Sequence, residues 1–366
     1  MNSGQCEMLE KYGSDCICID GTHGLNSYDF ELHTLLVLDD MRQGFPCAFL
    51  LSNRSDKEVL TIFFEYVKLS AGNITPNVFM SDICESYFNA WLEVMSRPKL
   101  RLYCTWHIDR AWRKNLSKIG SKEKQADVYK QLRIILQETD SSAFHIMIQE
   151  FCTKNSSDPE TIEFINYFKD NYLKNFKLWA YCCRLQAGLN TNMHIERIHR
   201  TIKYIYFRGR NIKRLDKCIH ALMTFVRDKL FDRLIVLNKG KISSKLATIR
   251  SRHKTSLEMS LNLIVSVENG WQVASSNCNE LYLIQEVDIN CKCQLICTGC
   301  GDVCLHHYSC TCIDAAIKWN MCKHIHLVCK FRHEKDQPGI NSNIGNNNIY
   351  NNFTFYRFKL FKFDFT

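Results

Sequence analysis

The stretch CICIDGT, Cys16–Thr22, decides the fold. Four apolar residues in succession followed by a carboxylate and a glycine are too short for a buried helix, and they read as a buried strand, Cys16 to Ile19, that ends in Asp20-Gly-Thr. Working outward, Leu32 to Leu38 and Pro46 to Leu51 are further strand candidates. Residues 56–69 then place Val59, Leu60, Phe63, Phe64 and Val67 at helical spacing. Asn77 to Met80 is a fourth strand closed by Ser81-Asp82, Glu85 to Met95 a helix, and Leu100 to Cys104 a fifth strand. Three strands in a row followed by alternating helix and strand predict an α/β unit with a mixed sheet rather than a doubly wound one.

The 366 residues give length for two or three domains. No apolar run approaches the ~20 residues a membrane span needs. The opening residues MNSGQCEMLEKYGSD lack the apolar core of a secretory signal. The 20 cysteines therefore read as reduced thiols and zinc ligands of the cytosol or nucleus rather than a disulfide framework. Helical periodicity runs from about Ile108 to Tyr181 and again from 191 to about 240, and a short alternating stretch, Trp271 to Val287, precedes a cysteine-rich cassette. The organisation expected is an N-terminal lead (1–14), a core (15–107), a helical insertion (108–190), a helical segment with a basic face (191–255), a zinc module (270–330) and an Asn-rich low-complexity tail (331–366). Of the six tryptophans, Trp106 and Trp112 read as core residues rather than stacking platforms.

Charge is concentrated. Residues 197–254 hold 17 Lys or Arg against 3 Asp, a local +14 in a chain of net +9, so the rest sums to about −5. Tyr204, Tyr206, Phe207, Leu222, Phe225, Leu230 and Phe231 interleave with these charges, so the segment should fold and present one basic side to a phosphate backbone. A solvated face would look the same, and acidic proteins or membranes would also attract it. The candidate phosphate contacts are Arg197, Arg200, Lys203, Arg208, Arg210, Lys213 and Arg214.

The cassette holds the clearest metal chemistry. Cys310-Thr-Cys312, nine residues, then Cys322-Lys-His324 offer three thiolates and an imidazole, the ligand set of a closed tetrahedral zinc site. Cys291-Lys-Cys293, ten residues, then Cys304-Leu-His306 repeats the format, so a second zinc is possible there. Cys297 and Cys300 with Cys304 and either His306 or His307 would serve as well, and spare thiols without metal are an equal alternative.

Three acids stand apart from the cassette. Asp20 and Asp82 close predicted strands, where carboxylates can converge on hard divalent cations, although Asp in such places is often only a turn former or helix cap. In Asn190 to Lys203, Asn192, Glu196, His199 and Lys203 share one helix face, which is either solvated or aims Glu196 at the sheet edge.

Together these residues resemble a family. Asp20-Gly-Thr-His23, Ser81-Asp82, Cys104-Thr-Trp-His107 and Thr191-Asn-Met-His-Ile-Glu196-Arg-Ile-His199 are similar to the transposase domain of Mutator-like elements, and Cys310 to His324 resembles the SWIM zinc finger often found after it. The resemblance covers roughly residues 15–330. It implies an RNase H-like mixed sheet with a helical insertion before the last acid, for which the 113 residues between Asp82 and Glu196 leave room. It implies Asp20, Asp82 and Glu196 as catalytic ligands of two Mg²⁺ or Mn²⁺ ions in DNA cleavage and transfer. Cys104 and His107 match the family's Cys-x-x-His element and read as active-site support, a contact to a flipped base or strand near the cut, or a partial metal site, and His199 is a further candidate for active-site support. DNA (element ends and target) is the implied partner, protein contacts through the finger and a homo-oligomer are further expectations, and the nucleus is the implied compartment. Asp20 lies about nineteen residues from the first residue, without an obvious N-terminal DNA-binding module, which favours a remnant. A domesticated, non-cutting DNA- or protein-binding transcriptional regulator is the alternative.

Overall fold

A computed structural model describes residues 1–239, 243–275, 280–287, 291 and 293–336. The first sheet has strands β1 (Cys16–Thr22), β2 (Glu31–Leu38), β3 (Gly44–Ser52), β4 (Val78–Ser81) and β5 (Leu100–Tyr103) in the order β3-β2-β1-β4-β5. The β1–β2 and β2–β3 pairs are antiparallel, whereas β1–β4 and β4–β5 are parallel. The sheet is mixed, as the strand succession predicts, and RNase H-like, as the family resemblance implies. The near-continuous apolar runs have a physical cause: the sheet is covered on both faces, so alternate residues enter two different cores. Ile17, Ile19, Leu35 and Val37 face one, and Cys16, Cys18, Leu36 and Leu38 face the other.

Helices α1 (Ser3–Tyr12), α2 (Lys57–Ala71) and α3 (Glu85–Val94) fill the first face. The polar-looking lead is therefore a capped helix: Asn2 and Gln5 form a reciprocal capping box, and Met8, Leu9 and Tyr12 enter the core. After α4 (Thr105–Asn115), helices α5 (Lys122–Gln137), α6 (Ser141–Ser156) and α7 (Ile162–Phe168) form a separate aromatic core around Trp112, Phe144, Phe168, Tyr172 and Trp179. Helix α8 (Met193–Thr201), a π-turn over Ile202–Tyr206 and α9 (Leu215–Lys239) cover the second face of the sheet.

The C-terminal module opens with α10 (Ser244–Leu257), which the sequence groups with the basic segment but which buries Ile249 in the module core. Strands β6 (Ile264–Val267), β7 (Gly270–Ala274) and β8 (Leu281–Glu286) form an antiparallel sheet with β11 (Tyr308–Cys310), and β9 (Ile296–Cys297) pairs with β10 (Val303–Cys304). Short α11 (Ile313–Ala316) and long α12 (Lys323–Asp336) complete it. The first residues of the tail expected from 331 belong to the module instead: Phe331 packs on its core and Arg332 pairs with Glu286 and Tyr308. Residues 337–366, the rest of that expected tail, lie outside the described residues. Among the described residues no helix is long and apolar enough to cross a membrane.

Candidate active site and metal centres

The β1–β4 register pairs Cys18 with Met80, so two residues further along Asp20 stands opposite Asp82 at the carboxyl ends of adjacent parallel strands. Such strand ends are where open α/β sheets place their sites. Glu196 reaches the same place from α8, and His107 from the first turns of α4; the donor atoms of Asp20, His107 and Glu196 all lie within 4.8 Å of one another. His107 Nε2 is 3.6 Å from Asp20 Oδ2 and 3.5 Å from Glu196 Oε1.

The electrostatics are those of a carboxylate cluster short of positive charge. Burial, resisted by His107, pushes the Asp20 carboxyl up to about 7, and the charges of Asp82 and Glu196 add to the rise. Asp20 Oδ1 accepts from the Gly21 backbone N–H, but the buried Oδ2 has no hydrogen-bond donor. Burial also raises Asp82, against the Cys84 N–H donated to its Oδ1. Burial pulls the His107 imidazole down, yet the Cys104 sulfur, Glu196 and Asp20 outweigh it and raise it to about 10. Glu196 is held low, first by its interaction with His107. An orphaned buried oxygen beside two further acids fits hard divalent cations, whose ligands are carboxylate oxygens.

The helix face read from the sequence docks as a unit along the sheet edge. Asn192 donates Nδ2 to the Ile19 carbonyl and its backbone N–H to Cys104 Sγ, His199 Nε2 bonds Thr34 Oγ1 at 2.9 Å, and Lys203 Nζ donates to Thr22 Oγ1 at 2.7 Å. Cys104 thus ties the start of α4 to the start of α8, and His199 lies under the acids against β2 rather than among them. Lys203, expected to meet phosphate, is engaged by β1. Arg197, Arg200, Arg208, Arg210, Lys213 and Arg214 are exposed, Arg214 paired with Asp216.

Two residues escape the sequence reading. Trp106, taken there as core, is 36 % exposed on the rim, with its ring 4.9 Å from that of His107 and Arg110 over its face; Trp112 alone of the pair is buried. Their spacing of six puts them on different faces of α4. Arg184 is fully buried and donates to the carbonyls of Leu178, Tyr103 and Asn190 and to Asn190 Oδ1, while Thr105 bonds the same Asn190 carbonyl. It joins β5 to the loop that launches α8, a role no local pattern announces.

The cassette donors converge as well. Cys310, Cys312, Cys322 and His324 are all buried with donor atoms within 4.8 Å, and His324 Nδ1 lies 3.9 Å from Cys310 Sγ and 3.8 Å from Cys322 Sγ. These are close to the ~3.5–3.8 Å edges of a tetrahedron with Zn–S of about 2.3 Å and Zn–N of about 2.0 Å. Tyr282 stacks on His324 at 4.7 Å and holds the ring. Cys291, Cys293, Cys304 and His306 form a second group, with Cys291 Sγ 3.4 Å from His306 Nδ1. The alternative donor His307 instead sits 3.6 Å from Glu286, and Cys297 and Cys300 turn away from Cys304 toward His326. Both groups fit zinc.

No curated protein matches the chain. Residues 16–111, which carry β1 to the middle of α4 and with them Asp20, Asp82, Cys104 and His107, match the family model of the MULE transposase domain, so this part of the chain is similar to that family.

Proposed function

We propose that the chain is a DDE DNA transposase, or a remnant of one, that cleaves and transfers DNA strands with divalent metal ions at Asp20, Asp82 and Glu196. The observation that carries this reading is the meeting of Asp20, Glu196 and His107 from three separated stretches of sequence at the end of β1, with Asp82 on the next strand. Two Mg²⁺ or Mn²⁺ ions bound there would supply activation of a water or 3′-hydroxyl and neutralisation of charge at phosphorus. Asp20 contributes the oxygen that lacks any donor, Asp82 the oxygen not taken by Cys84, and Glu196 the carboxylate brought by α8. His107, 3.6 Å from Asp20 and 3.5 Å from Glu196, is placed to hold the two at a fixed separation, with Cys104 behind it.

The two Cys₃His groups are assigned structural zinc, the one at Cys310–His324 as a SWIM-type finger. DNA is the proposed partner, met by the exposed arginines of residues 197–214, and the nucleus the compartment. Nothing favours the non-cutting regulator over this reading. The test is Asp82→Asn in the full chain: Mg²⁺- or Mn²⁺-dependent cleavage of DNA should fall more than about a hundredfold with thermal unfolding and DNA retention unchanged. Cleavage that persists in the variant overturns the assignment.

A further inference from the structure

Cys297 and Cys300, left over from the two zinc groups, lie on a short turn that closes with Gly301 in the left-handed conformation, φ +69°. Two imidazoles converge on that turn. His326, on α12, places Nδ1 3.1 Å from Cys300 Sγ, and His253, on α10 and forty-odd residues before the turn, places Nδ1 3.4 Å from the same sulfur. The donor atoms of all four residues lie within 4.8 Å of one another. The turn is shaped to admit His253: a Cβ on Gly299 would stand 2.5 Å from its Nε2, so any side chain there would drive the imidazole out. Cys297, Cys300 and His326 are buried, at 3 %, 2 % and 0 % exposure. His326 Nε2 has no hydrogen-bond partner.

We propose that His253, Cys297, Cys300 and His326 form a third zinc site, of Cys₂His₂ type, that clamps α10 to the finger module. The ligand set is that of a closed structural site. Two thiol protons leave to solvent as Zn²⁺ enters, so two thiolates, two neutral imidazoles and the ion sum to zero charge, which suits the buried Cys297, Cys300 and His326, with the half-buried His253 closing the open side. The site differs in kind from the two Cys₃His groups, because one ligand comes from outside the cassette. It fixes the end of the basic segment, through α10, to α12. Cys329, also buried and one turn beyond His326, is a further thiol beside Cys300 but does not belong to the four converging donors.

Zinc per chain, measured by elemental analysis on the purified full-length protein, tests this independently of catalysis. The wild type should carry three ions, His253→Ala two, the double variant Cys297→Ser/Cys300→Ser two, and Cys329→Ala three. With Co²⁺ in place of zinc, the sulfur-to-cobalt charge-transfer absorption of the double variant should fall by two thiolates out of eight. A wild type with two ions, or His253→Ala with three, overturns the proposal. If His253→Ala loses more than one ion, His253→Cys separates misfolding from ligand loss: it must regain all three with one thiolate more in the cobalt spectrum, and failure to do so also overturns it.

Discussion

His33 and His199 lie beneath the acidic cluster, and neither ring can take a proton cheaply. His33 is fully buried with Nδ1 2.7 Å from the Tyr87 hydroxyl, and His199 is bonded to Thr34. Burial pulls both imidazoles down to about 4 from the ordinary 6.5. Since the folded value is the lower one, the fold holds the neutral ring. Stability from each is complete above about pH 6.5 and is lost as pH falls from there toward 4, by up to about 3 kcal/mol per ring. Unfolding midpoints measured across that window should drop in the wild type, and His199→Gln should flatten the drop. An equal slope in the variant would show that other groups carry the acid sensitivity. Trp106 gives a second residue-scale expectation. Its exposed ring beside His107 is placed for a nucleobase, so Trp106→Ala should weaken single-stranded DNA binding by about 1–3 kcal/mol without moving the unfolding midpoint. Trp112→Ala should do the reverse, costing about 3–5 kcal/mol of stability through the cavity left among Phe168, Tyr172 and Trp179.

Among the elements, the placement of α8 decides whether Glu196 reaches the sheet, and Arg184 governs that placement. One guanidinium spans carbonyls from β5, from the turn at Leu178 and from Asn190, so its loss strands several buried acceptors at once. Arg184→Met should therefore lower stability by at least about 3 kcal/mol in denaturant unfolding, and Arg184→Lys should recover little of it, because an ammonium cannot reach along two directions as the planar fork does. Full recovery by lysine would refute the bridging role. The elements themselves were legible where a local period exists. The doubly buried strands announced themselves as apolar runs, and the Asn192–Glu196–His199–Lys203 face was readable because a helix repeats every 3.6 residues. What no period encodes was invisible: the bonds of Arg184, the membership of α10 in the module core, and the approach of His253 to Cys297 and Cys300. The continuation of α12 past residue 331 was masked for a similar reason, since Arg332 belongs to the fold through Glu286 and Tyr308, partners from distant strands. For Cys291, Cys293, Cys304 and His306, spacing alone left two donor sets open, and only the turn of Cys297 and Cys300 toward His326 separates them.

Across the whole molecule, basic charge and candidate metal ligands are divided in a way that suits one long polyanion. The acids gather at one edge of the first sheet, whereas the exposed arginines run from α8 through residues 208–214, directly after Glu196 in the chain. The basic residues differ in freedom: Lys203 is bonded to Thr22 and Arg214 is paired with Asp216, so neither is as ready for phosphate as Arg197, Arg200, Arg208 and Arg210. Duplex binding by the full chain should weaken steeply with salt, and each phosphate contact removed should reduce the log–log slope by about 0.9. The double variant Arg197→Gln/Arg200→Gln should lower both affinity and slope, by close to two contacts. Lys203→Gln should change the slope little and act instead through the α8–β1 junction, as a loss of stability. A slope insensitive to the arginines would place the nucleic-acid track elsewhere and leave the 197–210 arginines as a solvated face, whereas a Lys203 variant that loses as much slope as one contact would overturn its assignment to the α8–β1 junction.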